Sequence, residues 1–159
     1  MDTVNTVMSE LSEAVQLGGL GKRLEARERF AALWERVGPE GDALHRCAIA
    51  HSVADVQDDV HEELRWDLAA VEAAAAITDE RAAAAGTTVA AFYPSLYLNL
   101  ASCYRRLGKV EQAREQLVLA RQCVDVLPND AYGDMVRAEL VRLERAIPTV
   151  VPLAREAAL

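Results

Sequence analysis

The sequence is poor in aromatic residues and has no run that alternates long enough to predict a β-strand. Aromatic residues make up 5% of the 159 residues, whereas hydrophobic residues reach 52%, with alanine prominent among them. Alanine is the best helix former and adds little volume, so this composition favours closely packed helices over sheets. The length fits one domain that can bury a sizeable core.

Cysteines are few, and the sequence predicts neither a membrane span nor a secretory leader. Cys47, Cys103 and Cys123 are isolated and odd in number, which argues against a disulfide framework and favours buried thiols in a reducing compartment. No stretch approaches the ~20 apolar residues of a membrane span, and the first residues lack a basic segment followed by an apolar one. We therefore expect a soluble, cytoplasmic protein with no membrane contact and no cofactor.

Positive charge is also scarce, and it is carried by arginine. The formal net charge is −8, and Lys22 and Lys109 are the two lysines among 17 basic residues. A chain of this sign is repelled by nucleic acid phosphates, so we expect no nucleic acid partner. The preference for arginine and alanine suggests a GC-rich bacterial genome.

What the chain does have is helical periodicity with small residues at regular points. Apolar residues fall at helical spacing on both sides of Gly108, at Tyr97, Leu100, Ala101, Tyr104, Leu107, Val110, Ala113, Leu117 and Ala120. The small residues Ala101 and Ala113 let two helices approach closely. This pattern resembles the tetratricopeptide repeat, a helix–turn–helix unit of α-solenoids.

The same template fits twice more along the chain. In the first hairpin Gly21 is the turn residue, and Ala26, Phe30 and Leu33 follow it at matching spacing. In the middle hairpin Gln57 stands at the turn, and Trp66 takes the bulky position of Phe30 and Leu117, with Ala69 behind it. Asp58 or Asp59 caps the following helix, and Asp59 with Glu62 has the form of a capping box.

These units predict an all-α fold, a right-handed α–α superhelix of three helical hairpins and a C-terminal capping helix. The predicted repeat domain covers 1–147, with hairpins at about 3–37, 42–77 and 94–125 and the capping helix at about 131–147. Residues 148–159 are predicted to be an irregular tail. The chain from Ile77 to Phe92 exceeds the repeat length and predicts either an overlong fourth helix or a short extra one, with Pro94 in the first turn of the next helix.

The resemblance implies a non-catalytic module that holds a peptide or protein segment in a concave groove. The groove residues that it implies are His51, Asp55, Asn99, Ser102, Arg105, Arg106 and Arg142, with Leu44, Cys47, Ser95, Tyr132 and Glu139 on the same faces. The arginines would pair with acidic ligand groups, while the histidine, aspartate and asparagine would hydrogen-bond the ligand backbone. The carboxylate clamp of some family members is not expected, because Leu11 and Ser95 replace its lysines.

Three alternatives remain open. The first is a peptide- or ligand-sensing module that partners a transcription regulator. The second is a metal protein or enzyme centred on His51 and Asp55, which lie four residues apart and hence on one helical face, with His61 across the turn. No nucleophile motif or phosphate-binding loop supports catalysis. The third is self-association into a homo-oligomer through the apolar first hairpin.

Overall fold

The protein is all-α over residues 3–147, the part of the chain that the computed structural model describes, with side chains from residue 6 onward. No strand occurs in that range, and no helix within it is both long and apolar enough to cross a membrane. The predicted irregular tail, 148–159, lies outside the described residues. The α-helices are α1 (Thr3–Gly19), α2 (Arg23–Val37), α3 (Ala43–Ala54), α4 (Val60–Ala75), α5 (Asp79–Ala84), α6 (Tyr93–Arg106), α7 (Val110–Cys123) and α8 (Ala131–Ala146).

The α1–α2 and α6–α7 connections are the same turn made twice. Gly21 and Gly108 have φ angles of 80° and 73°, a region that favours glycine because it has no Cβ. The next amide reaches back five residues in each case, from Lys22 to the carbonyl of Leu17 (3.0 Å) and from Lys109 to that of Tyr104 (2.8 Å). Both turns therefore start their second helix in the same register.

The α3–α4 connection is built differently. Helix α3 ends at Ala54, and Asp59 caps α4 by accepting hydrogen bonds from the backbone amides of His61 and Glu62. The Glu62 side chain pairs with Arg65 rather than closing a reciprocal capping box. Because this turn is longer, α4 begins one residue later than the sequence template assumes.

The shift changes which residue of α4 fills the core. Counted from the N-cap residue of each helix, Asp67 of α4 occupies the position that Phe30 has in α2 and Leu117 has in α7. Asp67 is fully buried. The assignment of Trp66 to that place is therefore wrong. Trp66 is half-buried and packs edge-on against Trp34, with ring centroids 5.1 Å apart.

The surplus chain between Ile77 and Phe92 forms a short extra helix, α5, followed by a 3₁₀ turn, Val89–Phe92. The Thr78 hydroxyl accepts a hydrogen bond from the Arg81 amide and so caps α5. Arg81 Nε then donates to Asp42 Oδ2 at 2.6 Å, which ties α5 to the start of α3. Pro94 lies in the first turn of α6, as predicted.

The extra helix α5 covers residues of α3 that were expected to line the groove. Ala82 of α5 packs with Leu44, Cys47 and Leu96 in one apolar cluster. Leu44 and Cys47 are consequently buried, although their face of α3 was expected to line the groove. Leu11 is likewise buried, in the cluster that joins the first hairpin to α3.

The helices pack in chain order around alanine contacts. Each hairpin contacts the next, α2 against α3, α4 against α6 and α7 against α8, and contacts also join α1 to α3 and α6 to α8. Ala101 and Ala113 are fully buried in the cluster between α6, α7 and α8. A larger side chain there would push two backbones apart.

We therefore expect Ala113→Leu to lower the free energy of unfolding by about 1–3 kcal/mol, as overpacked cores do. Chemical denaturation followed by circular dichroism measures this change. Ala31→Leu is the control, because Ala31 is exposed on α2 and surface changes alter stability by about 0.5 kcal/mol or less. Equal effects of the two substitutions would contradict close packing at Ala113.

Candidate functional site

A polar opening lies between α3, α6 and α8. It is a cavity of about 520 Å³. Its polar wall comes from α3 and α6, and α8 closes the other side. The lining residues are His51, Asp55, Ser95, Leu98, Asn99, Tyr132, Met135, Val136, Ala138, Glu139 and Arg142.

A second cavity, of about 470 Å³, lies on the first-hairpin side of α3. Its lining comes from α1, α2 and α3, at Val15, Gly18, Gly19, Arg23, Phe30, His51, Ser52, Asp55 and Val56. His51 and Asp55 line both cavities. The two cavities therefore meet at these residues, and we call them together the groove.

Four of the seven predicted site residues lie around the first cavity: His51, Asp55, Asn99 and Arg142. They come from three helices that are distant in sequence, so the fold brings them together. Ser95, Tyr132 and Glu139, from the wider set of predicted groove faces, line the same cavity.

The other three predicted residues lie outside its lining. Ser102 is half-buried, and Arg105 and Arg106 are exposed at the end of α6. Arg106 Nη2 pairs with Glu63 Oε1 at 2.6 Å, and this hydrogen bond raises the pKa of Arg106. The Arg106 guanidinium therefore already has an acidic partner on α4.

Arg142 is also engaged within the protein. Its Nε and Nη2 donate to the two carboxylate oxygens of Glu139, at 2.8 and 2.5 Å, in a two-point contact one helical turn apart. Hydrogen bonding from Arg142 lowers the pKa of Glu139. The pair contributes no net charge to the groove.

Asn99 joins the groove to the interior. Its Nδ2 lies 3.3 Å from His51 Nδ1 and 3.2 Å from Asp67 Oδ1. An amide NH₂ has two hydrogens, so it can donate to both atoms at once. His51 then accepts at Nδ1 and carries its proton on Nε2. Burial lowers the pKa of His51, with Asp55 opposing the shift, so the neutral ring is favoured.

Asp67 is the fully buried end of this chain of contacts. Its Oδ2 accepts a hydrogen bond from the Cys103 thiol at 3.4 Å. Burial raises the pKa of Asp67 to about 7, even though the hydrogen bonds from Asn99 and Cys103 lower it. Nearby Glu63 and Asp55 raise it further. The carboxyl therefore changes its protonation state near neutral pH.

Cys103 is held as a thiol. Burial and the negative charges of Asp67 and Glu63 raise its pKa, whereas Arg106 lowers it. A thiol of this kind is a weak nucleophile, because the reactive species is the thiolate. Its place beside Asp67 is a packing and hydrogen-bonding role.

Glu63, Asp67 and Cys103 are the described residues whose possible metal-ligand atoms come together, within 4.8 Å of one another. The Arg106 guanidinium lies over the same group, 2.6 Å from Glu63 Oε1 and 3.4 Å from Cys103 Sγ. The positive charge of Arg106 thus already balances the negative charge of Glu63 in this group. The donor set forms on α4 and α6 and does not include His51 or Asp55, where sequence reasoning looked for a metal.

Asp67, Glu63 and Cys103 are the site residues that sequence reasoning missed. The available signal was their spacing, since Glu63 and Asp67 are four apart on α4, as are Asn99 and Cys103 on α6. The template started α4 one residue too early, so it placed Trp66 in the core and did not point to Asp67.

A further cavity, of about 480 Å³, lies at the ends of α1 and α2 beside Asp42 and His45. Arg81 Nη2 lies 3.4 Å from His45 Nε2, and Arg81 Nε is bound to Asp42. Asp42 and His45 thus serve to anchor α5, and Arg36 in the same lining pairs with Glu10 of α1 at 2.7 Å. Because these groups hold helices together, the groove is the stronger candidate site.

Comparison with known proteins gives no relative: no family model, no curated protein sequence and no solved structure matches the chain. The functional argument therefore depends on the residues and geometry described above.

The protonation of Asp67 predicts a pH-dependent stability. A carboxyl whose pKa is raised on folding stabilises the fold fully below its unfolded pKa, near 4. That stability is lost as pH rises through about 7. We expect Asp67→Asn, which stays neutral, to gain up to about 4 kcal/mol over the wild type between about pH 4 and about pH 8.

Denaturant titrations at about pH 4 and about pH 8 measure this difference. Asp125→Asn is the matched control, because Asp125 is exposed and lies away from the groove. A difference between wild type and Asp67→Asn that is the same at both pH values would show that Asp67 does not titrate in this window.

Proposed function

We propose that the chain is a tetratricopeptide-like interaction module that holds a peptide segment of a partner protein in its groove, without catalysing a reaction. The observation that carries this proposal is the composition of the groove walls. The first helix of each hairpin and the closing helix, which are α1, α3, α6 and α8, all contribute to the two cavities, and α2 adds Arg23 and Phe30 to the second.

The repeated hairpin geometry supports the right-handed superhelix within this proposal. The matching glycine turns at Gly21 and Gly108 place α2 and α7 in the same register. Two of the three pairs of successive first helices, α1 with α3 and α6 with α8, are in contact, and α3 and α6 line one cavity together, as in a stack in which first helices share one face.

The state of the groove's polar groups supports binding rather than chemistry. The Ser52 and Ser95 hydroxyls donate to the backbone carbonyls of Ala48 and Phe92, at 2.9 and 3.3 Å. His51 is engaged by Asn99 rather than by a nucleophile. Nucleophilic catalysis needs a hydroxyl or thiol within reach of a base, and these side chains are otherwise occupied.

The remaining properties are consistent with a protein partner in the cytoplasm. Net charge of −8 disfavours nucleic acid. The three cysteines are free thiols, as expected in a reducing compartment. We propose no role for a metal or cofactor.

Obstruction of the groove tests the proposal. Ala138 is exposed and lines the first cavity, so Ala138→Trp places a large ring inside it. Peptides selected by the wild-type protein from a random library displayed on phage should bind this variant at least about tenfold more weakly, a loss of about 1.4 kcal/mol.

Ala31→Trp is the matched control, since it adds the same ring to an exposed position of α2 outside the groove. It should bind the selected peptides as the wild type does. If no peptide is enriched, or if Ala138→Trp binds the enriched peptides unchanged, the groove is not a peptide site.

A further inference from the structure

The charges of the groove do not cancel. Among the described residues that line it, Arg142 pairs with Glu139 at 2.5 Å, whereas Arg23 lies 3.2 Å from Asp58 and shares that carboxylate with Arg27, which contacts it at 2.6 Å. Neutral His51 faces Asp55 and supplies no cation. Asp55 is therefore the carboxylate of the described groove lining that has no arginine or lysine within ion-pair distance.

Asp55 also lies at the junction of the two cavities. It directly follows α3 as its C-cap residue, and with His51 it lines both cavities. A ligand that fills the groove must pass this carboxylate.

Apolar surfaces flank the junction on both sides. Val15, Phe30 and Val56 line the cavity towards the first hairpin. Leu98, Met135 and Val136 line the cavity towards α8. Exposed apolar side chains therefore flank the Asp55 carboxylate on both sides, with Val15 48% exposed towards the first hairpin and Met135 61% exposed towards α8.

The electrostatic surroundings of Asp55 favour a bound cation. Burial of the carboxyl raises its pKa, and Glu63 raises it further, while His51 lowers it. A positive charge beside the carboxylate offsets both unfavourable effects, because an opposite charge stabilises the ionised form.

We propose that the groove selects a peptide segment in which a lysine or arginine lies between apolar residues, with its cation paired to Asp55. The inference rests on the proposed function and specifies its ligand. It reverses the expectation that arginines of the groove bind acidic groups, because Arg106 and Arg142 are engaged by Glu63 and Glu139.

A synthetic peptide library, in which one position at a time is fixed as lysine, arginine, glutamate or alanine, tests this specificity. Wild-type protein should bind the pools with a fixed basic residue at one central position about tenfold more tightly than those with glutamate there. Asp55→Asn should lose this preference while keeping its preference for apolar residues on either side.

Asp125→Asn removes the same charge at an exposed position outside the groove, and it should keep the basic preference. Circular dichroism and thermal melts verify that both variants remain folded. Asp55→Lys provides a second readout, since it should favour the glutamate pools.

The outcomes separate the two proposals. Pools that bind in a manner sensitive to Ala138→Trp, but with no basic preference or with one that Asp55→Asn leaves unchanged, would overturn the cation inference and leave the peptide groove standing. Binding that Ala138→Trp does not affect would overturn both.

Discussion

The amide of Asn99 connects the groove to the core, and the arrangement of three helices depends on it. Its two hydrogens reach His51 on α3 and Asp67 on α4, while Asn99 itself belongs to α6. A buried carboxyl without hydrogen bonds would be costly, so α6 must present Asn99 where it does. The hydrogen bond between Asn99 and buried Asp67 thus holds Asn99 in position beside His51 in the polar wall of the groove.

The buried carboxyl of Asp67 replaces a large apolar side chain that the other hairpins have. In the first and last hairpins Phe30 and Leu117 fill this place, and their contacts are non-directional. Asp67 instead makes directional contacts with Asn99 and Cys103 across the α4–α6 interface. Such networks fix one relative placement of two helices when every member is satisfied. In the middle hairpin, less apolar surface is therefore buried at this position, but the orientation of α4 relative to α6 is fixed by hydrogen bonds.

Local sequence signals located the helices well. The glycines at Gly21 and Gly108, the cap at Asp59 and the proline at Pro94 act within a few residues, so their effects could be predicted without the fold. The register of α4 could not, because the α3–α4 turn lacks a glycine and its length was misjudged. One residue of error moves a side chain about 100° around a helix, which exchanged Trp66 for Asp67 in the predicted core.

The sequence by itself determined the all-α class and the approximate positions of the long helices, because periodicity and capping are local. Only the tertiary structure decided which charges meet. Among side chains 6–147, Arg106 and Arg142 are engaged by carboxylates and Asp55 has no arginine or lysine partner, because ion pairing depends on distances of a few ångströms between side chains. The electrostatic character of the groove is therefore a property of the packed helices, and composition alone does not contain it.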